Sequence, residues 1–335
     1  MEPIEASKTD HFSIRYLSAN EQGDYDRLFR RCFGHEPTPG LWDFKFSPSS
    51  GYSLGLFESH GGAQSPELIA HYGGVKRPIV YFGQLQLAIQ ISDIMVSASG
   101  VKSLTKKGPF FWVATTFLEN HIGYERQAMI AFGFPNLRSM KIGALLGLYK
   151  EVERIKEIEW SAKTYSLPFW CECIELNAAQ QGLAHSWIEQ LWSGMRFDLK
   201  DAIVGVRDAQ YIFHRYFKRP QKDYRLMLIK NRLNGKPKGL MVFQQDANRF
   251  ELIDLVAPLS NMPGLIRYAR ELATAHASRV LLLRITSSFV KHLMTQDAKV
   301  NAIDISIPAN VWTPGPSSDT LLNQWWLMSG DMDYV

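Results

Sequence analysis

LQLAIQISDIMV (residues 85–96) opens the stretch that decides the fold, and its run of apolar and β-branched residues predicts a buried strand. A loop rich in Ser, Gly and Lys follows, SASGVKSLTKKG (97–108), and Pro109 then begins a predicted helix. A second apolar run, QAMIAFGF (127–134), predicts another strand, and a helix over about 137–146 closes the unit. The predicted order is therefore strand, polar loop, helix, strand, helix.

The loop and the helix start together predict a phosphate site. The first amide hydrogens of a helix have no partner within the helix, and the helix dipole adds partial positive charge there. Proline suits the first helical position because its missing N–H would have had no partner. The alternative is an ordinary connection whose lysines are solvated. The candidate phosphate ligands are Lys102, Thr105, Lys106, Lys107, Gly108, Pro109 and Phe110.

The chain before and after this unit predicts a repeated architecture. The first half begins with a strand, two helices and three strands, predicted at 11–17, 24–33, 39–46, 52–58, 68–75 and 79–83. The pattern of residues 149–154 fits a strand or a helix; we interpret it as a strand that leads into a linker, with a hinge at 165–168. The second half repeats the order without repeating residue identities. Its elements are predicted at 171–176, 178–195, 208–218, 224–230, 239–245, 250–256, 263–275, 280–285, 287–295, 300–307 and 325–328.

Three short stretches resemble the GNAT acetyltransferase superfamily. ISDIMV (91–96) is similar to the family's fourth strand and IAFGFPN (130–136) to its fifth, with Asn136 at a position where the family often has Asn. Leu-Gly-Leu (146–148) lies where the family's Leu-Gly-Phe ends the fourth helix. The resemblance implies an α/β (α+β) chain of two GNAT-like domains, predicted at 1–160 and 161–335. Each would be a mixed, mostly antiparallel twisted sheet flanked by helices.

The resemblance also implies an activity and a cofactor. Acetyl-CoA would bind the first half, its pyrophosphate on the loop and its pantetheine arm between the fourth and fifth strands. Direct transfer to a small amine would follow, without a covalent enzyme intermediate. The family's loop usually has closely spaced glycines, whereas Gly100 and Gly108 are eight residues apart here. The open alternative is a binding or assembly module that keeps the fold without catalysis.

Candidate site residues follow from the chemistry of acyl transfer, in which charge develops on the carbonyl oxygen and two protons move. By resemblance, the backbone amide of Met95 or Val96 would bind the thioester carbonyl, and Asn136 would belong to the cofactor site. Asp93 would act as base if burial raises its pKa; the alternative is an Asp that caps a turn or pairs with an Arg. Many family members have a proton-donating Tyr where this chain has Gly143. Tyr149 is the nearest Tyr and the candidate acid; a packed aromatic is the alternative.

Two further segments bear on the acceptor. The loop over 257–264 has two prolines and neither Lys nor Arg, which predicts that the second half binds no CoA and shapes the acceptor site. The tail QWWLMSGDMDY (324–334) resembles the ending of a bacterial subset of tandem GNAT proteins. Members of that subset are often encoded near polysaccharide-modifying genes, which implies an amino-sugar acceptor.

Composition narrows the classes of partner. The chain has 335 residues and a net charge of +4, too small to indicate nucleic acid, and this also argues against an aminoacyl-tRNA donor. Three cysteines cannot form a disulfide framework, and no metal-ligand spacing occurs. Residues 1–10 are unlike a signal peptide, and no apolar run approaches the ~20 residues that cross a membrane. The sequence predicts a cytoplasmic protein and leaves a homodimer open.

Overall fold

The computed structural model describes residues 11–59, 65–97, 105–106, 108–165, 168–246, 249–276, 278–295 and 297–332. These residues form two mixed sheets flanked by helices, which confirms the predicted fold class. None of the helices within these ranges is long and apolar enough to span a membrane.

The first sheet has the strand order β1-β2-β3-β4-β5, with β8 beside β3 and β14 beside β8. Its strands are β1 (Phe12–Tyr16), β2 (Gly51–Glu58), β3 (Glu67–Tyr81), β4 (Gln84–Val96), β5 (Ile130–Phe132), β8 (Ile203–Gly205) and β14 (Trp325–Trp326). The helices of this half are α1 (Gln22–Phe33), α2 (Leu41–Phe46), α3 (Pro109–His121) and α4 (Leu137–Leu145).

Two consecutive glycines on β3 show how the helices cover both faces of this sheet. A Cβ atom on Gly73 would lie 2.7 Å from the ring of Phe46 in α2. A Cβ atom on Gly74 would lie 2.3 Å from the ring of Phe117 in α3. Because neighbouring residues of a strand point to opposite faces, α2 and α3 pack on opposite sides of β3. The glycines allow this close approach.

Strand β3 is continuous, although two separate strands, 68–75 and 79–83, were expected. Pro78 lies between the two expected strands, and proline cannot donate a hydrogen bond to a ladder. In the structure β2 pairs with β3 only as far as Val75, and β8 pairs with it only from Ile79 onward. Pro78 therefore lies between the two ladders, where its missing amide hydrogen interrupts neither.

The second sheet has the order β13-β6-β12-β11-β10-β9-β7. Its strands are β6 (Tyr149–Ser161), β7 (Cys171–Leu176), β9 (Arg225–Asn231), β10 (Pro237–Asp246), β11 (Arg249–Val256), β12 (Val280–Thr286) and β13 (Lys299–Asn310). The remaining helices are α5 (Gln181–Asp198), α6 (Ala209–Phe217), α7 (Met262–Ala275) and α8 (Ser318–Leu321). The helix expected at 287–295 is a shorter 3-10 helix, Ser287–His292.

Each sheet contains strands from both sides of residue 160, the predicted domain boundary. Strand β6, interpreted from sequence as the lead into a linker, lies between β12 and β13 inside the second sheet. Strands β8 and β14, from the second half of the sequence, extend the first sheet. The residues expected to close the second sheet, 325–328, contribute β14 to the first instead, and Met328 forms only an isolated bridge to Ile285.

Candidate active site

The site is built where β4 and β5 separate. These strands run parallel and pair from Ala88 with Ile130 to Gln90 with Phe132. Strand β5 then ends, whereas β4 continues for six more residues to Val96. The carboxyl ends of parallel strands are a common place for ligands, because each strand there leaves its neighbour and opens a crevice. This gap matches the one expected between the fourth and fifth strands.

A β-bulge bends β4 inside this gap. The register between β3 and β4 shifts between His71 and Gly73, so that Asp93 and Ile94 together face Tyr72. Asp93 has a φ of 49°, a left-handed conformation that L-residues seldom adopt. Such bulges change the direction of the residues that follow them.

Beyond the bulge, successive backbone amides of β4 point alternately toward β3 and away from it. This alternation distinguishes the two predicted carbonyl-binding amides, those of Met95 and Val96. Ser97 donates its N–H to Ile69 O on β3 at 2.8 Å, and Met95 pairs with His71. Backbone groups alternate in direction along an antiparallel strand, so the Val96 amide points away from β3, toward the side where β5 has ended. The Val96 carbonyl, which shares that direction, accepts the Cys32 thiol at 3.4 Å. Val96 rather than Met95 has the required orientation.

Asp93 lies in a buried ion pair. Lys45 Nζ in α2 is 3.0 and 3.1 Å from the two carboxylate oxygens, and the Tyr25 hydroxyl donates to one of them at 2.9 Å. Burial pushes the pKa of Asp93 upward, but the charge and hydrogen bonds of Lys45 outweigh it, helped by His71 and Tyr25. The pKa of Asp93 therefore lies below its ordinary value. The raised pKa that a base role requires is absent, and the partner is Lys rather than Arg.

His71 completes this cluster beneath the bulge. Its Nδ1 donates to the Asp93 carbonyl at 2.6 Å, and the Ser53 hydroxyl donates to its Nε2 at 2.8 Å. Burial lowers the pKa of His71 to about 4; the hydrogen bond to Asp93 and its charge oppose this in part, and the charge of Lys45 adds a smaller lowering. The ring is therefore neutral at pH 7. Sequence patterns within one segment do not reveal this cluster, because the partners of His71 are 18 and 22 positions away.

Tyr149 fills the space that a side chain at position 143 would occupy. A Cβ atom on Gly143 would lie 2.2 Å from the Tyr149 ring, so the ring lies directly over α4. The Tyr149 hydroxyl is hydrogen-bonded to the hydroxyl of Tyr72, which faces the bulge. Burial raises the pKa of Tyr149, and the Tyr72 hydrogen bond opposes this only in part. Tyr149 therefore lies against Gly143 with its phenol protonated, and its role as the acid stays a prediction.

Asn136 caps α4. Its side-chain oxygen accepts the Ser139 amide at 2.9 Å, and Asp304 of β13 accepts the Leu137 amide at 2.6 Å. Two groups of the protein itself thus satisfy amides at this helix start. A carboxylate there disfavours a second anion.

Helix α3 begins at Pro109, as predicted, after the cap residue Gly108. Gly108 donates its amide to Thr105 O at 2.9 Å. Thr105 and Lys106 are exposed, whereas Gly108, Pro109 and Phe110 are buried. The other two predicted phosphate ligands, Lys102 and Lys107, lie outside the described residues.

The second sheet has a parallel pair of its own, β11 and β12, but its loop differs. The Leu259 amide, between β11 and α7, donates to the Asp198 carboxylate at 2.8 Å. The amide that a phosphate would need already has an anionic partner. The lack of CoA binding in the second half stays a prediction.

The C-terminal segment crosses the first sheet beside the gap. Gln90, the last β4 residue that pairs with β5, donates its side-chain amide to Asp331 O at 2.7 Å. The second half therefore forms one wall next to the site.

No protein-family model and no curated protein matches the sequence. Solved structures match the fold. A probable N-acyltransferase from Enterococcus faecalis has a TM-score of 0.67 at 12% identity, over 94% of this chain and 74% of its own. A GCN5-related N-acetyltransferase from Kribbella flavida has a TM-score of 0.64 at 14% identity, over 90% and 72%. Saccharomyces cerevisiae N-myristoyltransferase with bound myristoyl-CoA has a TM-score of 0.55 at 11% identity, over 95% and 87%.

At these identities the likeness concerns the fold. It extends over nine-tenths or more of the chain, so it includes both sheets. The chain therefore has the fold of GCN5-related N-acetyltransferases.

Proposed function

We propose that the chain is an acyl-CoA-dependent N-acyltransferase that transfers an acetyl group directly to a small amine. The observation that carries this proposal is the separation of β4 from β5 after Gln90, with a bulge on β4 and the helix start at Pro109 beyond it. The likeness to GCN5-related N-acetyltransferases and to a myristoyl-CoA complex supports acyl-CoA as the donor.

In this proposal the thioester carbonyl accepts the Val96 amide, which stabilises the oxyanion as the amine attacks. The attacking amine nitrogen gives up one proton to solvent water, and Tyr149 donates its phenolic proton to the departing thiolate. The Tyr149 phenolate then takes up a proton from water, which restores the enzyme. The raised pKa of Tyr149 keeps the proton on the phenol until the thiolate forms. Tyr72 orients the Tyr149 hydroxyl.

The acceptor approaches between the two halves, where the C-terminal segment crosses β4. We propose an amino sugar as the acceptor, on the basis of the tail's resemblance to polysaccharide-associated proteins. We also propose that acyl-CoA binds the first half alone, since the Leu259 amide is paired with Asp198. A cytoplasmic location remains part of this proposal.

Calorimetric titration with acetyl-CoA tests the donor site. The wild type should bind, and a variant with Lys106→Ala and Lys107→Ala should bind roughly tenfold more weakly, because charge-assisted contacts to the pyrophosphate are lost. A matched control replaces exposed Lys218 and Lys236, both in the second half, by Ala. Unchanged binding after the first double replacement, or no binding by the wild type, contradicts the donor site.

The burial of Gly108, Pro109 and Phe110 favours a second candidate, a non-catalytic module with the same fold. Release of free thiol from acetyl-CoA across a panel of amines, including glucosamine, separates the two. Amine-dependent release supports the transferase. Binding of acetyl-CoA without release for any amine supports the module.

A further inference from the structure

We infer that Lys45 is a positioning residue: its buried ion pair with Asp93 holds the β4 bulge so that the Val96 amide is presented to an acyl carbonyl. The chain would thereby distinguish acyl-CoA from free CoA. This inference rests on the proposed function and adds a determinant of donor selectivity to it.

The ion pair is buried and close to ideal in geometry. The side chain of Lys45 is 6% exposed and that of Asp93 is 12% exposed. The ammonium contacts both carboxylate oxygens, at 3.0 and 3.1 Å. Burying two charges is unfavourable unless each has its partner, so removal of either leaves the other uncompensated.

Asp93 is held at both its main chain and its side chain. Lys45 and the Tyr25 hydroxyl bind the carboxylate, while His71 binds the carbonyl. These contacts come from α2, α1 and β3, three separate elements. They support a φ of 49°, a conformation that non-glycine residues adopt uncommonly, Asp more often than most.

The bulge determines which way the next amides point. It adds one residue to β4 opposite Tyr72. Each residue beyond the bulge therefore points its backbone N–H to the opposite side from the one it would have in a regular strand. If the bulge relaxed into regular pairing, the Val96 amide would turn toward β3 and away from the gap. The carbonyl would then lose its hydrogen bond, whereas the nucleotide and pantetheine contacts would remain.

Free CoA has no acyl carbonyl. A comparison of the dissociation constants of acetyl-CoA and CoA therefore isolates the contribution of the Val96 amide. The test measures dissociation constants of acetyl-CoA and CoA by calorimetry for the wild type, Lys45→Met and Lys45→Arg. In Lys45→Met the ratio Kd(acetyl-CoA)/Kd(CoA) should rise about fivefold, the size of one neutral hydrogen bond. Lys45→Arg, which retains a cation, should restore most of the wild-type ratio.

Tyr25→Phe provides a milder variant if Lys45→Met does not fold, because it removes one hydroxyl and retains the ion pair. It should shift the ratio in the same direction by a smaller factor. If the role of Lys45 were merely structural, its replacement would weaken the binding of acetyl-CoA and of CoA equally. A folded Lys45→Met protein whose ratio equals that of the wild type overturns the inference while the proposed function stands. A wild type that binds neither ligand overturns the proposed function as well.

Discussion

Asp331, close to the end of the chain, accepts a hydrogen bond at 2.8 Å from the guanidinium of Arg77 in β3, 254 positions earlier. Its other carboxylate oxygen accepts from Arg207 at 2.5 Å, and Arg207 also donates to Asp254 at 2.8 Å. The buried positive charges of Arg77 and Arg207 are therefore neutralised by the buried carboxylates of Asp331 and Asp254. The network joins the C-terminal segment, both sheets and the strand next to the proposed site.

Asp331→Asn should destabilise the fold strongly. It would leave two buried guanidinium groups with one carboxylate, and breaking a buried ion pair typically costs about 3–5 kcal/mol. Urea unfolding measures the free energy. The control Asp319→Asn removes an exposed partner of Lys150 and should change stability by less than about 1 kcal/mol. Equal effects of the two substitutions would contradict the structural importance of the network.

Gly143→Ala should displace Tyr149, because the new methyl group would lie 2.2 Å from its ring. Such overpacking typically costs about 1–3 kcal/mol, and thiol release should fall with it. The matched control is Gly264→Ala in α7, where nothing lies within 4 Å of the new Cβ. That variant should be more stable by about 0.5–1 kcal/mol, since alanine favours helix over glycine. Thermal unfolding and activity are measured for both.

Tyr149→Phe should lower kcat by about 10²–10⁴-fold, the usual contribution of a positioned proton donor. The dissociation constant of acetyl-CoA should stay within about twofold, because the ring and its packing on Gly143 are retained. Tyr124→Phe, which alters an exposed tyrosine, is the control. If kcat is unchanged in Tyr149→Phe, Tyr149 is not the acid, and its hydroxyl serves packing with Tyr72 alone.

Stability should depend on the protonation of His71. Its pKa is about 4 in the folded protein and near 6.5 when unfolded, so only the unfolded state gains a proton between these values. The contribution of neutral His71 to the free energy of unfolding is complete above about pH 6.5. It is lost as the pH falls toward 4, which lowers that free energy by about 3 kcal/mol. His71→Gln should flatten that part of the unfolding profile. Exposed His35→Gln should leave it unchanged; a flattening there instead would refute the assignment.

Local features of the sequence were sufficient for much of the fold. Strand β4 was predicted from its apolar run, and the start of α3 from the polar loop and Pro109. Both signals, the spacing of apolar residues and the preference of certain residues for a helix start, depend only on neighbouring residues. The same reasoning found the alternating order of strands and helices in both halves. The resemblance to the GNAT superfamily, together with the chemistry of acyl transfer, selected Tyr149 and Asp93 as candidates near the gap, while the residues around them stayed undetermined.

Tertiary structure alone decided which sheet each strand joins and which partner each site residue has. The sequence of residues 149–154 fits a strand or a helix, and only the pairing of β6 with β12 and β13 makes it a strand of the second sheet. Asp93 meets Lys45 across 48 positions, and Tyr149 meets Tyr72 across 77. Periodicity within a segment contains no information about such distant pairings. They are selected by the free energy of burying one particular arrangement of faces and charges, which exists only when the whole chain has folded.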